Sequence, residues 1–225
     1  MHYEQVGSGR PVVLLHGISN HCLAWAPQLD ALAAAGWRAI LPDLAGHGRS
    51  AAVTERTTTG DLAGDVIALL DVLEVPAAPV CGLSLGGMVA SWKAIWLAPD
   101  GPRKRLEATW EGLTSEAYRQ SPAGQAFYAS WWRLLGGVSG QALAAVADGL
   151  LSFDVTAALA RVQVPVLAVA GEHDRLAQPP MVRQVATAVP GARFEAVADA
   201  QHLVNLERPD RFNELLLGLL ATTGA

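Results

Sequence analysis

A serine hydroxyl is a poor nucleophile until a base removes its proton, so a catalytic serine is recognised by its setting. Gly82-Leu83-Ser84-Leu85-Gly86 fits the pattern G-x-S-x-G, with Gly87 behind it. An apolar run of strand character over 78–83 precedes it, and an apolar helical pattern follows. A serine between a strand and a helix sits in a sharp, strained turn that points its hydroxyl away from the sheet. Glycines on either side avoid collision with neighbouring strands. The competing reading is a tight strand–helix turn whose serine only caps the helix.

Six histidines could serve as the base. His2 is terminal, His16 and His47 stand in glycine turns, His21 lies in a helix-entry loop and His173 directly precedes Asp174. His202 follows an expected strand at 192–197 and precedes Leu203-Val204-Asn205-Leu206-Glu207. A loop at the carboxyl end of a strand is where an α/β sheet holds functional groups. The acid that orients the imidazole is Asp174 in Gly171-Glu172-His173-Asp174, with Glu172 as a nearby competitor. Asp43 also ends a strand, but it precedes Ser84, whereas the order Ser84, Asp174, His202 is the nucleophile–acid–base order of a nucleophile-elbow enzyme. A tetrahedral intermediate needs two donors for its oxyanion; the backbone N–H groups of Ile18 and Leu85 are the candidates.

The elements that must carry these residues alternate. Continuous apolar runs at 11–15, 37–42, 78–83 and 164–170 read as strands buried on both faces, and 23–35 and 58–73 show helical spacing between them. That rhythm predicts an α/β fold with a mostly parallel central sheet flanked by helices. Residues 3–6 read as an edge strand returning by a hairpin, 104–110 as a further strand, 192–197 as the last strand and 209–221 as the last helix. The stretch 111–152 is helical in pattern and holds Tyr118, Phe127, Tyr128 and the pair Trp131-Trp132. The predicted division is therefore a core of 1–110 and 153–225 and a short helical lid of 111–152.

Composition narrows the function. Of the 225 residues 51% are hydrophobic and 16% charged, which is the balance of a folded chain, not a disordered one. A net charge of −5 without a long basic run excludes nucleic acid as the expected partner. Mean hydropathy is positive, yet proline and glycine interrupt both long uncharged stretches, so no membrane span is predicted. Two cysteines and the histidine spacing suggest neither a disulfide framework nor a zinc site, so no metal or cofactor is expected. The N-terminus lacks a basic region followed by an apolar one, and a cytoplasmic location is the expectation.

Together these motifs resemble the α/β-hydrolase superfamily over nearly the whole chain. Leu14-Leu15-His16-Gly17 resembles its oxyanion loop, Pro42-Asp43-Leu44-Ala45-Gly46-His47-Gly48-Arg49-Ser50 its structural turn, and 82–87 its elbow. Gly171–Asp174 and Gln201-His202 resemble its acid and base loops. Gly82-Leu83-Ser84-Leu85-Gly86-Gly87-Met88 with His202-Leu203-Val204-Asn205-Leu206-Glu207-Arg208-Pro209 is similar to the 3-oxoadipate enol-lactonase and carboxylesterase branch. Three departures stand out: the first strand of that fold is expected to be absent, Glu107 replaces an apolar residue of a strand, and the lid is short. The resemblance implies a serine hydrolase that cleaves small to medium carboxylic esters through an acyl-serine. A serine at the elbow sets it apart from relatives that use aspartate there. Enol-lactone hydrolysis, carbon–carbon bond hydrolysis and perhydrolysis run on the same triad, and a slow-turnover ligand sensor is the rival from another class. Trp131 and Trp132 are the candidate acyl wall, with one of them facing the site because helical neighbours diverge by about 100°. They could equally be core filling.

Overall fold

The computed structural model describes residues 1–84, 96–151 and 154–223. Their contacts form two compact units, Met1–Trp110 with Ser121–Phe153, and Glu111–Gln120 with Asp154–Ala225.

In the first unit four strands, β1 (Tyr3–Val6), β2 (Arg10–Leu15), β3 (Trp37–Pro42) and β4 (Val80–Gly82), lie in the order β1-β3-β2-β4. β2 pairs parallel with both β3 and β4, and β1 pairs antiparallel with β3. The expected hairpin is corrected: β1 is an edge strand, but it pairs with Ala39–Pro42 of β3 instead of with β2, and the 7–9 connection crosses the start of β3. Gly7 and Gly9 permit that crossing, with φ of 85° and 103°. A Cβ at either would strike the backbone oxygen of Trp37 or Gly36.

Val12, Val13 and Leu14 of β2 and Ala39, Ile40 and Leu41 of β3 are buried, as the continuous apolar runs predict. β4 departs from that reading, since Val80 is 58% exposed and Cys81 half-buried. Its place at the end of the strand order leaves one side unpaired among the described residues. Helix α1 (Ala26–Ala34) joins β2 to β3, and helix α2 (Thr59–Val72) follows β3. Thr58 and Asp61 close a reciprocal capping box at the start of α2.

The stretch 104–110 is not a strand. It lies within α3 (Gly101–Leu113), where burial recurs at Gly101 and Pro102, at Arg105 and Leu106, and at Leu113. That spacing is helical, and it leaves Lys104 and Glu107 in solvent, which removes the difficulty Glu107 posed for a buried strand. Three further helices, α4 (Glu116–Gln120), α5 (Pro122–Leu135) and α6 (Gly140–Leu150), follow it. α6 is not a loose cover: its Leu143, Val146 and Ala147 share one apolar cluster with Val13, Ile18, Leu44, Leu62, Val66 and Trp96.

In the second unit β5 (Leu167–Gly171) pairs parallel with β6 (Arg193–Val197). The expected start at residue 164 is corrected, as Val164 is 66% exposed and precedes the strand. Helix α7 (Thr156–Leu159) precedes β5, and α8 (Pro179–Ala188) joins the two strands. The short α9 (Val204–Glu207) and then α10 (Pro209–Leu220) follow β6, with Phe212, Leu216 and Leu220 buried. No helix among the described residues is long and apolar enough to cross a membrane.

Candidate functional site

Ser84 stands two residues beyond β4 with φ of 35° and is exposed. A non-glycine residue in the left-handed region costs about 1–3 kcal/mol and marks a position that its surroundings impose. Gly17, at the end of β2, comes so close that a Cβ there would lie 3.2 Å from the Leu83 oxygen and 3.5 Å from the Ser84 Cβ. The loop after β2 is thus held directly against the serine. Leu85, the other candidate oxyanion donor, lies outside the described residues.

Ile18 is buried in that loop, within a turn closed by Asn20 N–H on the Gly17 oxygen at 3.2 Å. His16 bridges the loop to the segment after β3. Its Nε2 accepts from Leu44 N–H at 3.0 Å, so Nδ1 carries the proton and donates to the Gly17 oxygen at 2.8 Å. Burial lowers the His16 pKa to about 4, which keeps the ring in the neutral form this bridge needs.

Beyond Ile18, Ser19 has φ of 57° and is held twice. Arg105 Nη1 donates to its Oγ and Trp131 Nε1 to its carbonyl, each at 2.7 Å. Trp131 is buried among the rings of Trp110 and Phe127. Trp132 points elsewhere, stacking on Tyr128 with the Arg103 guanidinium 5.3 Å from its ring.

The structural turn at Asp43 is a separate construction. Asp43 accepts from Cys22 N–H at 2.7 Å and from Arg49 N–H at 2.9 Å. The ligand-type atoms of His2, Cys22 and Asp43 come within 4.8 Å of one another, a juxtaposition that sequence spacing does not reveal. The Arg49 guanidinium is 3.8 Å from the Cys22 sulfur and 4.0 Å from Asp43, so the protein itself supplies the cation there. Burial raises the Cys22 thiol to about 11, which disfavours the thiolate a metal would need.

In the second unit, the loop after β5 and the loop after β6 bring an acid and a base together. His202 Nδ1 lies 2.8 Å from Asp174 Oδ2, and both side chains are buried. The other Asp174 oxygen accepts from the N–H groups of Leu176 and Ala177. Burial alone would push the Asp174 carboxyl up. The His202 hydrogen bond and charge, with those two amides, outweigh it and hold the group below its ordinary value. Glu172, the competitor, is exposed and approaches Asp199 N–H and His173 instead.

Sequence reasoning passed over Glu207, which is buried and accepts from Gln201 N–H at 3.0 Å and Ser115 N–H at 2.7 Å. It thereby fixes the residue before His202. An acid on the four-residue helix after the base loop was the available signal. Ser19 and Arg105 gave no such signal, because their meeting spans 86 positions.

The sequence profile described as "Alpha/beta hydrolase family" matches residues 12–215. A 3-oxoadipate enol-lactonase of Acinetobacter baylyi is 28% identical over 87% of this chain and 83% of its own length. Among solved structures, the enol-lactonase from Burkholderia xenovorans superposes with a TM-score of 0.90 at 24% identity, covering 98% of this chain and 96% of that one. A bromoperoxidase from Bacillus anthracis superposes at 0.82 with 20% identity, covering 97% and 94%. At these identities the structural likeness shows the fold, and the names attached to it differ in chemistry.

Proposed function

The chain belongs to the alpha/beta hydrolase family, and from that premise we propose that it is a serine hydrolase of small to medium carboxylic esters. The observation that carries the reading is the 2.8 Å contact between Asp174 and His202. With Nδ1 facing the carboxylate, the base function falls to Nε2. Ser84 Oγ attacks the ester carbonyl carbon while Nε2 takes its proton. The N–H groups of Ile18 and Leu85 receive the oxyanion. Collapse breaks the carbon–oxygen bond, and Nε2 returns the proton to the departing alcohol. Water then attacks the acyl-serine with Nε2 again as base, and release of the acid restores Ser84. Asp174 stays ionised throughout and stabilises the imidazolium. These steps require no cofactor.

A second reading, hydrolysis of an enol lactone, draws on the Acinetobacter relative, which carries that name. A lactone is a cyclic ester, so the same residues would act, with the leaving oxygen staying on the product. Within the proposed lid, 111–152, Trp131 is the better candidate for the acyl wall, since its indole is tied to the loop after β2.

Replacing Ser84 by alanine tests the proposal. Loss of the nucleophile is expected to reduce p-nitrophenyl butyrate hydrolysis on the order of 10³-fold or more, with an unchanged melting curve. Retention of more than a tenth of the activity refutes it. Comparing acyclic esters with enol lactones on the wild type then separates the two substrate readings.

A further inference from the structure

We propose that Arg105 and Trp131 are positioning residues that hold Ser19 in its left-handed conformation and thereby set the Ile18 N–H as an oxyanion donor. The inference rests on the serine-hydrolase reading and extends it to two residues outside the triad, whose effect on the oxyanion donor runs through Ser19.

The Gly17-Ile18-Ser19-Asn20 turn has its closing hydrogen bond and a positive φ at the third position, the arrangement of a type II turn. Glycine or asparagine normally occupies that position, because a side chain there is strained. Serine holds it here, so the strain needs an external restraint. The structure provides two, on different atoms of the same residue. The Arg105 guanidinium grips the hydroxyl and the Trp131 indole N–H grips the carbonyl.

Both restraining groups are buried and come from separate helices, α3 and α5. Placing a guanidinium in the interior is costly, and burial lowers the Arg105 pKa to about 10. The reward is directional: an arginine presents a rigid fork of donors, and a tryptophan a single fixed one. Trp131 is in turn locked by Trp110 and Phe127. On the other side of the turn, His16 fixes the Gly17 oxygen. Ile18 is therefore anchored on both flanks, next to the Gly17 that lies against Ser84. Released from its grip, Ser19 relaxes to negative φ. That change rotates the Ile18–Ser19 peptide and moves the residue whose amide must meet the oxyanion. Ground-state binding of the ester does not depend on that amide, so the defect should appear in kcat.

The test uses four variants of the full-length protein with p-nitrophenyl butyrate and a trifluoromethyl ketone that forms a tetrahedral adduct with the serine. Ser19→Ala removes the Arg105 acceptor and keeps the Cβ that makes positive φ strained, so the turn is free to relax. Trp131→Phe removes the N–H and keeps a ring. Both are expected to lower kcat by roughly 10-fold or more with KM within about twofold, and to weaken the ketone in parallel. Ser19→Gly, which adopts positive φ without strain, should recover most of the loss seen in Ser19→Ala. Ser84→Ala is the fourth. Unchanged kcat in Ser19→Ala and Trp131→Phe, beside an inactive Ser84→Ala, overturns the positioning role alone. So does a Ser19→Gly variant no better than Ser19→Ala. An active Ser84→Ala would overturn the serine-hydrolase reading itself. A melting temperature lowered in step with kcat, without weaker ketone binding, would assign the two residues to stability only and overturn the inference.

Discussion

Asp43 and Asp174 are both buried carboxylates beside histidine, one in each compact unit, and they spend their oxygens differently. Both Asp43 oxygens are taken by backbone amides, those of Cys22 and Arg49. Three histidines around it are also turned to the backbone, His16 to Gly17 and Leu44, His47 to Ala45 and His21 to Leu23, while the His2 ring comes no nearer than 4.0 Å to its carboxylate. Asp174 gives one oxygen to amides and the other to an imidazole. The first arrangement fixes a chain path and keeps His16, His21 and His47 neutral by burial. The second orients a ring whose opposite nitrogen can exchange protons with a substrate. An acid–histidine neighbourhood thus becomes a candidate for catalysis only when the carboxylate meets the ring itself.

The largest expected effect breaks that comparison at its functional side. Asp174→Asn is predicted to lower kcat by up to about 10⁴-fold, because the ring loses its orienting anion. Glu172→Gln should leave kcat within about twofold, and the reverse pattern would make Glu172 the acid. Asp43→Asn should do the opposite of Asp174→Asn. It is expected to reduce stability by about 1–3 kcal/mol, since one buried amide loses its acceptor, while activity per folded molecule persists. Chemical denaturation and active-site titration on the same samples would show both.

Acid sharpens the same contrast. Burial lowers the pKa of His16 and His21 to about 4 and of His47 to about 3, from 6.5. The unfolded chain therefore binds protons below pH 6.5 that the folded one refuses until pH 4 or lower. Stability must fall across that window, by up to about 3 kcal/mol for each of the three rings. The Asp174 shift works lower: its contribution is intact above 3.8 and is lost only as pH drops through its still lower folded value. The six tryptophans among the described residues lie between residues 25 and 132, within the first unit. Their fluorescence should thus melt at falling temperature from pH 6.5 to 4, and His47→Gln should flatten the dependence. A melting temperature constant over that range would contradict the neutral-histidine account.

The smallest effect concerns the lid tryptophans. Trp132→Ala is expected to change kcat/KM less than about twofold, because its ring is engaged with Tyr128 and Arg103. A marked shift in acyl-chain preference would move the substrate wall from Trp131 to Trp132.

Legibility from sequence followed the range of the interactions. β1 and β3 matched their runs, because apolar continuity and glycine breaks are local signals. The loops that carry Asp174 and His202 were readable as short motifs at strand ends. The 104–110 stretch misled because it follows the turn-like Pro99-Asp100-Gly101-Pro102, whereas burial of Leu106 and Leu113 seven residues apart favours the helix. The grip on Ser19 and the Glu207 anchor were invisible for another reason. They join residues far apart in the chain, and no local pattern encodes such a meeting.

The central claim is that Ser84 is the nucleophile served by the Asp174–His202 pair. A fluorophosphonate reacts covalently with an activated serine and so reads that claim without knowledge of the substrate. The account predicts one label per wild-type chain, mapped by peptide mass spectrometry to Ser84, none on Ser84→Ala, and labelling slowed at least about 100-fold in His202→Gln. A label on any other residue, or ester hydrolysis that continues after Ser84 is fully labelled, would contradict it.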